Sequence, residues 1–169
     1  MQIGRMLKHV TASQWRTRRL FPSATLDAIE QAIARAEQTH AGEIRFAIET
    51  ALTPMHIIND VTAHARALDV FAHLRVWDTD DNNGVLIYVQ VADRHVEIVA
   101  DRGFAGRVSE AEWQGVCRLM EEHYRKGQFE AGSIAGVDAV GTLLVRHFPQ
   151  TSTQHAHSRN QLPDRPTLL

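Results

Sequence analysis

The sequence predicts an α/β protein: a three-layer α/β/α sandwich around a central mixed sheet. Three observations lead there. Gly84–Ala92 is a nearly uninterrupted apolar run (Val85, Leu86, Ile87, Tyr88, Val89, Val91) of strand length, as expected for a central strand covered on both faces. Glu43–Glu49 alternates Ile44, Phe46 and Ile48 with charged residues, the period of a strand with one buried face. Segments with helical spacing both precede and follow these runs, so helices can cover both faces of the sheet.

Taken in order, residues 3–19 are basic and contain no acidic residue. Ile3, Met6, Leu7 and Val10 recur at helical spacing beside Arg5, Lys8, Arg16, Arg18 and Arg19. Such a segment suits a helix lying on an anionic membrane surface, or one packing on its own domain or on a protein partner. Pro22 and Ser23 punctuate the chain, with Ser23 the expected N-cap. Leu26, Ile29 and Ile33 then mark one face of a helix that stops near Gly42. Residues 56–74 return to helical spacing through Ile57, Val61, Ala65, Leu68 and Ala72. After the apolar run, Asp93-Arg94 is read as a hairpin turn into a strand over His95–Asp101. Ser109 and Glu112 form a capping box for a helix buried through Trp113, Val116, Cys117, Met120 and Tyr124. A last helix is expected over Gly132–Phe148, and the proline-bearing stretch 149–169 is read as an extended polar tail. The organisation expected is a basic segment over 1–20, one domain over 21–148 and the tail over 149–169.

Composition excludes several classes of function. A net charge of -2 and the lack of a basic-aromatic surface pattern argue against nucleic acid. The single cysteine, Cys117, precludes an internal disulfide and a cysteine-based zinc site, and its helical-face position reads as a buried apolar thiol. No run approaches the roughly 18–20 apolar residues of a membrane span, and Arg5, Lys8 and His9 interrupt any signal-type apolar region. The expectation is a cytoplasmic protein, membrane-peripheral if the basic segment docks. Gly132-Ser133-Ile134-Ala135-Gly136 lacks the glycine of a nucleophile elbow, and phosphate-loop and dinucleotide motifs are missing. His155 and His157 share the tail, and His95 reads as a solvent-facing strand residue.

The candidate site is the turn before the apolar strand. Asp78, Asp80, Asp81, Asn82 and Asn83 crowd oxygen atoms into six residues, and hard cations such as Ca²⁺ take such oxygens. A helix-loop-helix calcium pattern starting at Asp78 fails, because Asn83 stands where glycine is needed and Val89 where glutamate is needed. A plain turn is the competing reading, since Asp and Asn tolerate left-handed backbone angles. If the two following strands pair as a hairpin, Asp101 comes to the same end of the sheet as Gly84 and can meet the acidic turn. The position of Glu43 depends on strand direction.

The chain resembles the TPM domain family, whose members include thylakoid-lumen phosphatase-type, photosystem-associated and nematode receptor-modulator proteins. The residues that carry the likeness are Asn82-Asn83-Gly84-Val85-Leu86-Ile87, Asp93-Arg94, Val96-Glu97-Ile98 and Gly103-Phe104-Ala105-Gly106. Phe129 with Gly132-Ser133-Ile134, and Gly42-Glu43-Ile44, add to it. The resemblance implies the same sandwich and a divalent cation, often calcium, at the loops beside the Asn-Gly turn. It also implies either an accessory or interaction module or, as proposed for plant members, an acid phosphatase. The chain departs from the family where Asn82 replaces a frequent aspartate and Ala105 a frequent glutamate, while Asp101 adds a carboxylate nearby. Two functions follow. The first is a cation-binding module with Asp81, Asn82 and Asp101 as ligands, Asp78 and Asp80 setting the local charge, Ca²⁺ favoured and Mg²⁺ the alternative. The second is a metal-dependent phosphomonoesterase using direct water attack.

Overall fold

A computed structural model describes Gly4, His9 and residues 12–149 and 160–169. Ile3, Met6, Leu7 and Val10, which define the apolar face expected near the N-terminus, and His155 and His157 lie outside the described residues. The elements run α1 (Gln14–Leu20), α2 (Ser23–Glu37), β1 (Glu43–Glu49), α3 (Pro54–Ile58), α4 (Ala63–His73), β2 (Gly84–Gln90), β3 (His95–Ala100), α5 (Glu110–Arg125), α6 (Phe129–His147) and β4 (Thr167–Leu168).

The sheet order is β3-β2-β1-β4. β2, β1 and β4 are parallel, and β3 closes the far edge antiparallel to β2. Alternation places Ile44, Phe46, Ile48, Val85, Ile87, Val89 and Val96 on one face, packed against α2, α5 and α6. Leu86, Tyr88, Ala47 and Val99 face the other way, beneath α4 and Leu162. These are the three layers and the mixed sheet that the sequence predicts, with β2 central and buried along its whole length.

Four details depart from the sequence reading. Pro22, not Ser23, occupies the N-cap of α2, which therefore starts without a side-chain cap. The single helix expected over 56–74 is two, because Thr53 and Thr62 each cap a separate start and Asp60 turns the backbone left-handed between them (φ 52°). β1 is buried on both faces, since Arg45 and Glu49 are covered and paired rather than hydrated. The hairpin loop spans Val91–Arg94, because Val91 and Ala92 donate their N–H groups back to Glu49 and Thr50 of the β1 end and so leave β2.

The last ten residues also differ from an extended tail. Gln161 and Leu162 donate backbone N–H groups to the Glu43 carboxylate, 3.2 Å each. Arg45 donates to the carbonyls of Pro163 and Arg165 and to the Thr167 hydroxyl, and Arg165 pairs with Asp27 and Glu30 at 2.7 Å. Thr167 and Leu168 then extend the sheet beside Ala47 and Ile48. A strand of two residues reaches this register because a buried arginine gathers the carbonyls leading into it.

Candidate functional site

Parallel β1 and β2 begin at one rim, and antiparallel β3 ends there. Gly84 therefore sits beside Asp101, whose N–H donates to the Gly84 carbonyl at 2.9 Å. The acidic turn and Asp101 thus share a rim, as the hairpin pairing requires. Asn82 adopts the left-handed conformation (φ 52°) typical of asparagine in turns. Gly103 packs directly on it: a Cβ at Gly103 would stand 2.4 Å from the Asn82 carbonyl oxygen and 3.1 Å from that of Asp81. The Gly103 N–H donates to Asn82 at 3.0 Å, locking the two loops together.

The side chains divide into engaged and available groups. Asp78 pairs with Arg75 at 3.4 Å, and Asp80 is tied to the Gln161 side-chain amide twice: its backbone N–H donates to Gln161 Oε1 and its carboxylate accepts from Gln161 Nε2. Asn82 Oδ1 accepts from Arg102 Nε at 2.8 Å, so a guanidinium already lies over this oxygen. Asp101 Oδ1 caps the following 3-10 turn by accepting from the Arg102 N–H at 2.7 Å, while its Oδ2 is buried without a partner among the described residues. Asp81 is exposed, and among the described residues its carboxylate has no ion pair. Asn83 donates to the Ala41 carbonyl, and its buried Oδ1 has no partner among the described residues. Among the described residues no three His, Cys, Asp or Glu side chains sit close enough together to hold a metal by themselves.

Strand direction also settles Glu43, which lies at this rim and is 7% exposed. Beside it Glu37, on α2, accepts from the Ile44 N–H at 2.8 Å. Burial pushes the Glu37 carboxyl up to about 8, with Glu43 and Asp164 adding like charge, and burial raises Glu43 as well. His40, 1% exposed with both ring nitrogens unpartnered among the described residues, is pulled down to about 4 by burial. Nothing in the sequence pattern singles out Glu37 or His40 as buried. Their signal, a titratable residue at the end of an amphipathic helix, is indistinguishable from an ordinary solvated helix end.

Glu37 has a measurable consequence. A carboxyl that keeps its proton to about pH 8 when folded, and releases it near 4.5 when unfolded, stabilises the fold fully below pH 4.5 and loses that contribution as pH rises to about 8. His40 works from the other side, because its stabilisation is present above 6.5 and is lost as pH falls toward 4. Glu37→Gln keeps an acceptor for Ile44 and removes the titration. Urea denaturation at pH 9 is expected to show the variant more stable than the native chain by roughly 2–4 kcal/mol, allowing for the partial exposure of the group. The difference should vanish at pH 4, and equal stability at pH 9 would refute the assignment.

The other predicted positions are structural. Ser109 and Glu112 form the expected capping box. Burial pushes the Cys117 thiol up to about 12, which leaves it protonated and unreactive. Ser133 donates to the Phe129 carbonyl and accepts from the Tyr124 hydroxyl, each 2.8 Å, so it is an internal tie of the helix pair. His95 is not a free surface residue: Glu97 and Glu121 hold its two ring nitrogens at 2.9 and 2.7 Å.

Fold and rim together define an α/β/α domain built on one mixed sheet, with two interlocked loops at the start of its central strand. A family model described as the TPM domain matches residues 16–143, most of the chain, and the chain belongs to the TPM domain family. Among solved structures it is similar to the BA42 protein of the psychrophilic bacterium Bizionia argentinensis. That likeness has a TM-score of 0.74 and 29% identity and covers 87% of this chain and 94% of that one. It is also similar in fold to the N-terminal domain of a P. gingivalis protein, with a TM-score of 0.60, 20% identity and coverage of 78% and 83%. No curated protein matches the chain. The strand and carboxylate-binding stretch over 160–169 lie beyond the residues the family model matches.

Proposed function

We propose that the protein is a divalent-cation-binding accessory module, with Ca²⁺ held between the acidic turn and the loop after β3. The observation that carries this reading is Asp101 Oδ2, a buried carboxylate oxygen without a partner among the described residues, on the loop whose Gly103 packs against the carbonyls of Asp81 and Asn82. A carboxylate oxygen left dry is costly, and a cation offsets that cost. Calcium accepts six to eight oxygens in flexible arrangements, including carbonyls, amides and water, so it suits a site with two carboxylates and several neutral oxygens. Mg²⁺ demands a stricter octahedron and fits less well. Asp81 and Asp101 would be the charged ligands and Asn82 an amide ligand once Arg102 turns aside. Asp78 and Asp80, already paired, add negative potential. Affinity belongs to the weak, roughly millimolar class, because few of the oxygens are charged.

The phosphomonoesterase reading is less well supported, because the arginines near this rim serve the fold. Arg75 holds Asp78, Arg102 holds Asn82, Arg107 donates to the His147 carbonyl and lies over Phe148, and Arg45 holds the C-terminal stretch. A cytoplasmic location with peripheral membrane contact belongs to the same proposal. No helix among the described residues is long and apolar enough to cross a membrane.

Linkage gives the test. With a dissociation constant near 1 mM, 10 mM Ca²⁺ should stabilise the fold by about 1.4 kcal/mol and raise Tm by roughly 3–5 °C. Asp81→Ala combined with Asp101→Asn, which preserves the cap on Arg102, should abolish the rise. An unchanged Tm in Ca²⁺ and in Mg²⁺ would end the proposal.

A further inference from the structure

The opposite rim holds a second candidate site. β2, β1 and β4 all end there, and in α/β sheets ligands favour the space beyond the carboxyl ends of parallel strands. α1 lies across this rim. A cleft of about 380 Å³ opens between α1 and the Val91–Arg94 loop, within the size range of small-molecule sites. A smaller cleft lies on the other side of Thr17, toward Thr50 and Leu168.

The larger cleft is lined by donors. Arg16 and Arg94 are exposed, and neither has an ion-pair partner among the described residues. Ser13 Oγ accepts from the Trp15 N–H at 3.2 Å, which leaves its own proton free to be donated. Thr17 lines both clefts at 3% exposure, yet its hydroxyl is buried without a partner among the described residues. A buried hydroxyl without a bond is an uncompensated cost that a bound acceptor removes. One carboxylate also lines the cleft. Asp93 is held by His9 Nε2 at 3.1 Å, and His9 Nδ1 accepts from the Leu52 N–H at 2.9 Å, which fixes the proton on Nε2. Leu20, Val91 and Phe129 form the apolar part of the wall.

We infer that this cleft binds the phosphoryl group of an organic phosphate, gripped by Arg16, Arg94 and the Ser13 hydroxyl and completed by the Thr17 hydroxyl once its side chain turns out of the wall. Two guanidinium forks and two hydroxyls match a tetrahedral anion with three free oxygens better than they match a single planar carboxylate. The apolar wall takes the organic remainder. The site is separate from the proposed cation site, at the other end of the same strands, so it neither needs Ca²⁺ nor implies hydrolysis.

The experiment is calorimetric titration of the full chain, in chelator and at constant ionic strength, with inorganic phosphate and with phenyl phosphate. Phosphatidylcholine vesicles with and without phosphatidate form a parallel arm. Phenyl phosphate should bind more tightly than inorganic phosphate. Arg16→Gln and Arg94→Gln should each weaken it roughly ten- to a hundredfold, and Thr17→Val by a smaller factor. Both arginines are exposed, so their loss leaves the fold intact, and amide chemical-shift changes at residues 13–17 and 91–94 provide a second readout. Binding of the soluble phosphates marks a free ligand; arginine-dependent binding of phosphatidate vesicles alone marks a lipid headgroup. Absence of binding in both arms, or affinity unchanged in both arginine variants, overturns the inference.

Discussion

Replacing Gly84 by alanine is expected to destabilise the fold by on the order of 4 kcal/mol, measured by urea denaturation. A Cβ at this position would stand 2.0 Å from the carbonyl oxygen of Val76 and 3.0 Å from its Cγ1. The obstacle is backbone, so it cannot be relieved by a rotamer change. Val76 is fully buried in the cluster beneath α4, and Gly84 is the first residue of the central strand. Either the strand or the approach to the acidic turn must move. The same substitution therefore also tests the cation site: if any folded Gly84→Ala protein is obtained, its Tm response to Ca²⁺ should be reduced. Gly115→Ala is the matched control. Gly115 lies inside α5 with nothing among the described residues within 4 Å of its Cβ position, so alanine there should stabilise by up to about 1 kcal/mol. Similar effects at the two positions would show that helix and strand propensity, not the contact with Val76, governs Gly84.

Arg66→Ala should cost about 3–4 kcal/mol, the usual range for stripping one partner from a buried pair. Glu49, its side chain 7% exposed, accepts from Arg66 Nη2 at 2.8 Å and from Arg66 Nε at 3.1 and 3.2 Å. The Tyr88 hydroxyl also donates to Glu49, and burial raises the Tyr88 phenol so that it stays protonated as a donor. Without Arg66 the carboxylate remains buried with, among the described residues, the Tyr88 hydroxyl as its one side-chain partner. Combining Arg66→Leu with Glu49→Gln removes both charges and should recover most of the loss, since the expense lies in the orphaned ion and not in the absent pair. A double-mutant cycle with little coupling between the two positions would show that the ion pair is not what holds α4 to the sheet.

The parts of this fold legible in the sequence are those fixed by local chemistry. The apolar run of β2 announces a central strand because a sheet covered twice needs apolar residues on both sides. The Ser109–Glu112 box starts α5 because its groups meet within one turn. Hairpin pairing brought Asp101 to the rim of the acidic turn, since strand alternation and a short loop leave little choice of register. Reading Glu43–Glu49 as half exposed was wrong for a long-range reason. Arg45 and Glu49 are covered by Pro163–Thr167 and by Arg66, respectively 118 and 17 residues away in the sequence at their nearest. The burial of Glu37 and His40 was hidden in the same way, because the C-terminal residues and α6 approach them across the fold.

By itself the sequence determined the kind of layers, the central strand and the oxygen-rich turn, because hydrophobic period and turn chemistry act over a few residues. Tertiary structure decided which of those oxygens are already engaged: Asp78 by Arg75, Asp80 by Gln161 and Asn82 by Arg102, leaving Asp101 Oδ2 buried and unpartnered among the described residues. It also decided that Arg16, Thr17 and Arg94 meet at the far rim, where α1 crosses the ends of three parallel strands. Availability of a charge or a hydroxyl depends on what the rest of the chain brings against it, and no local pattern encodes that distance.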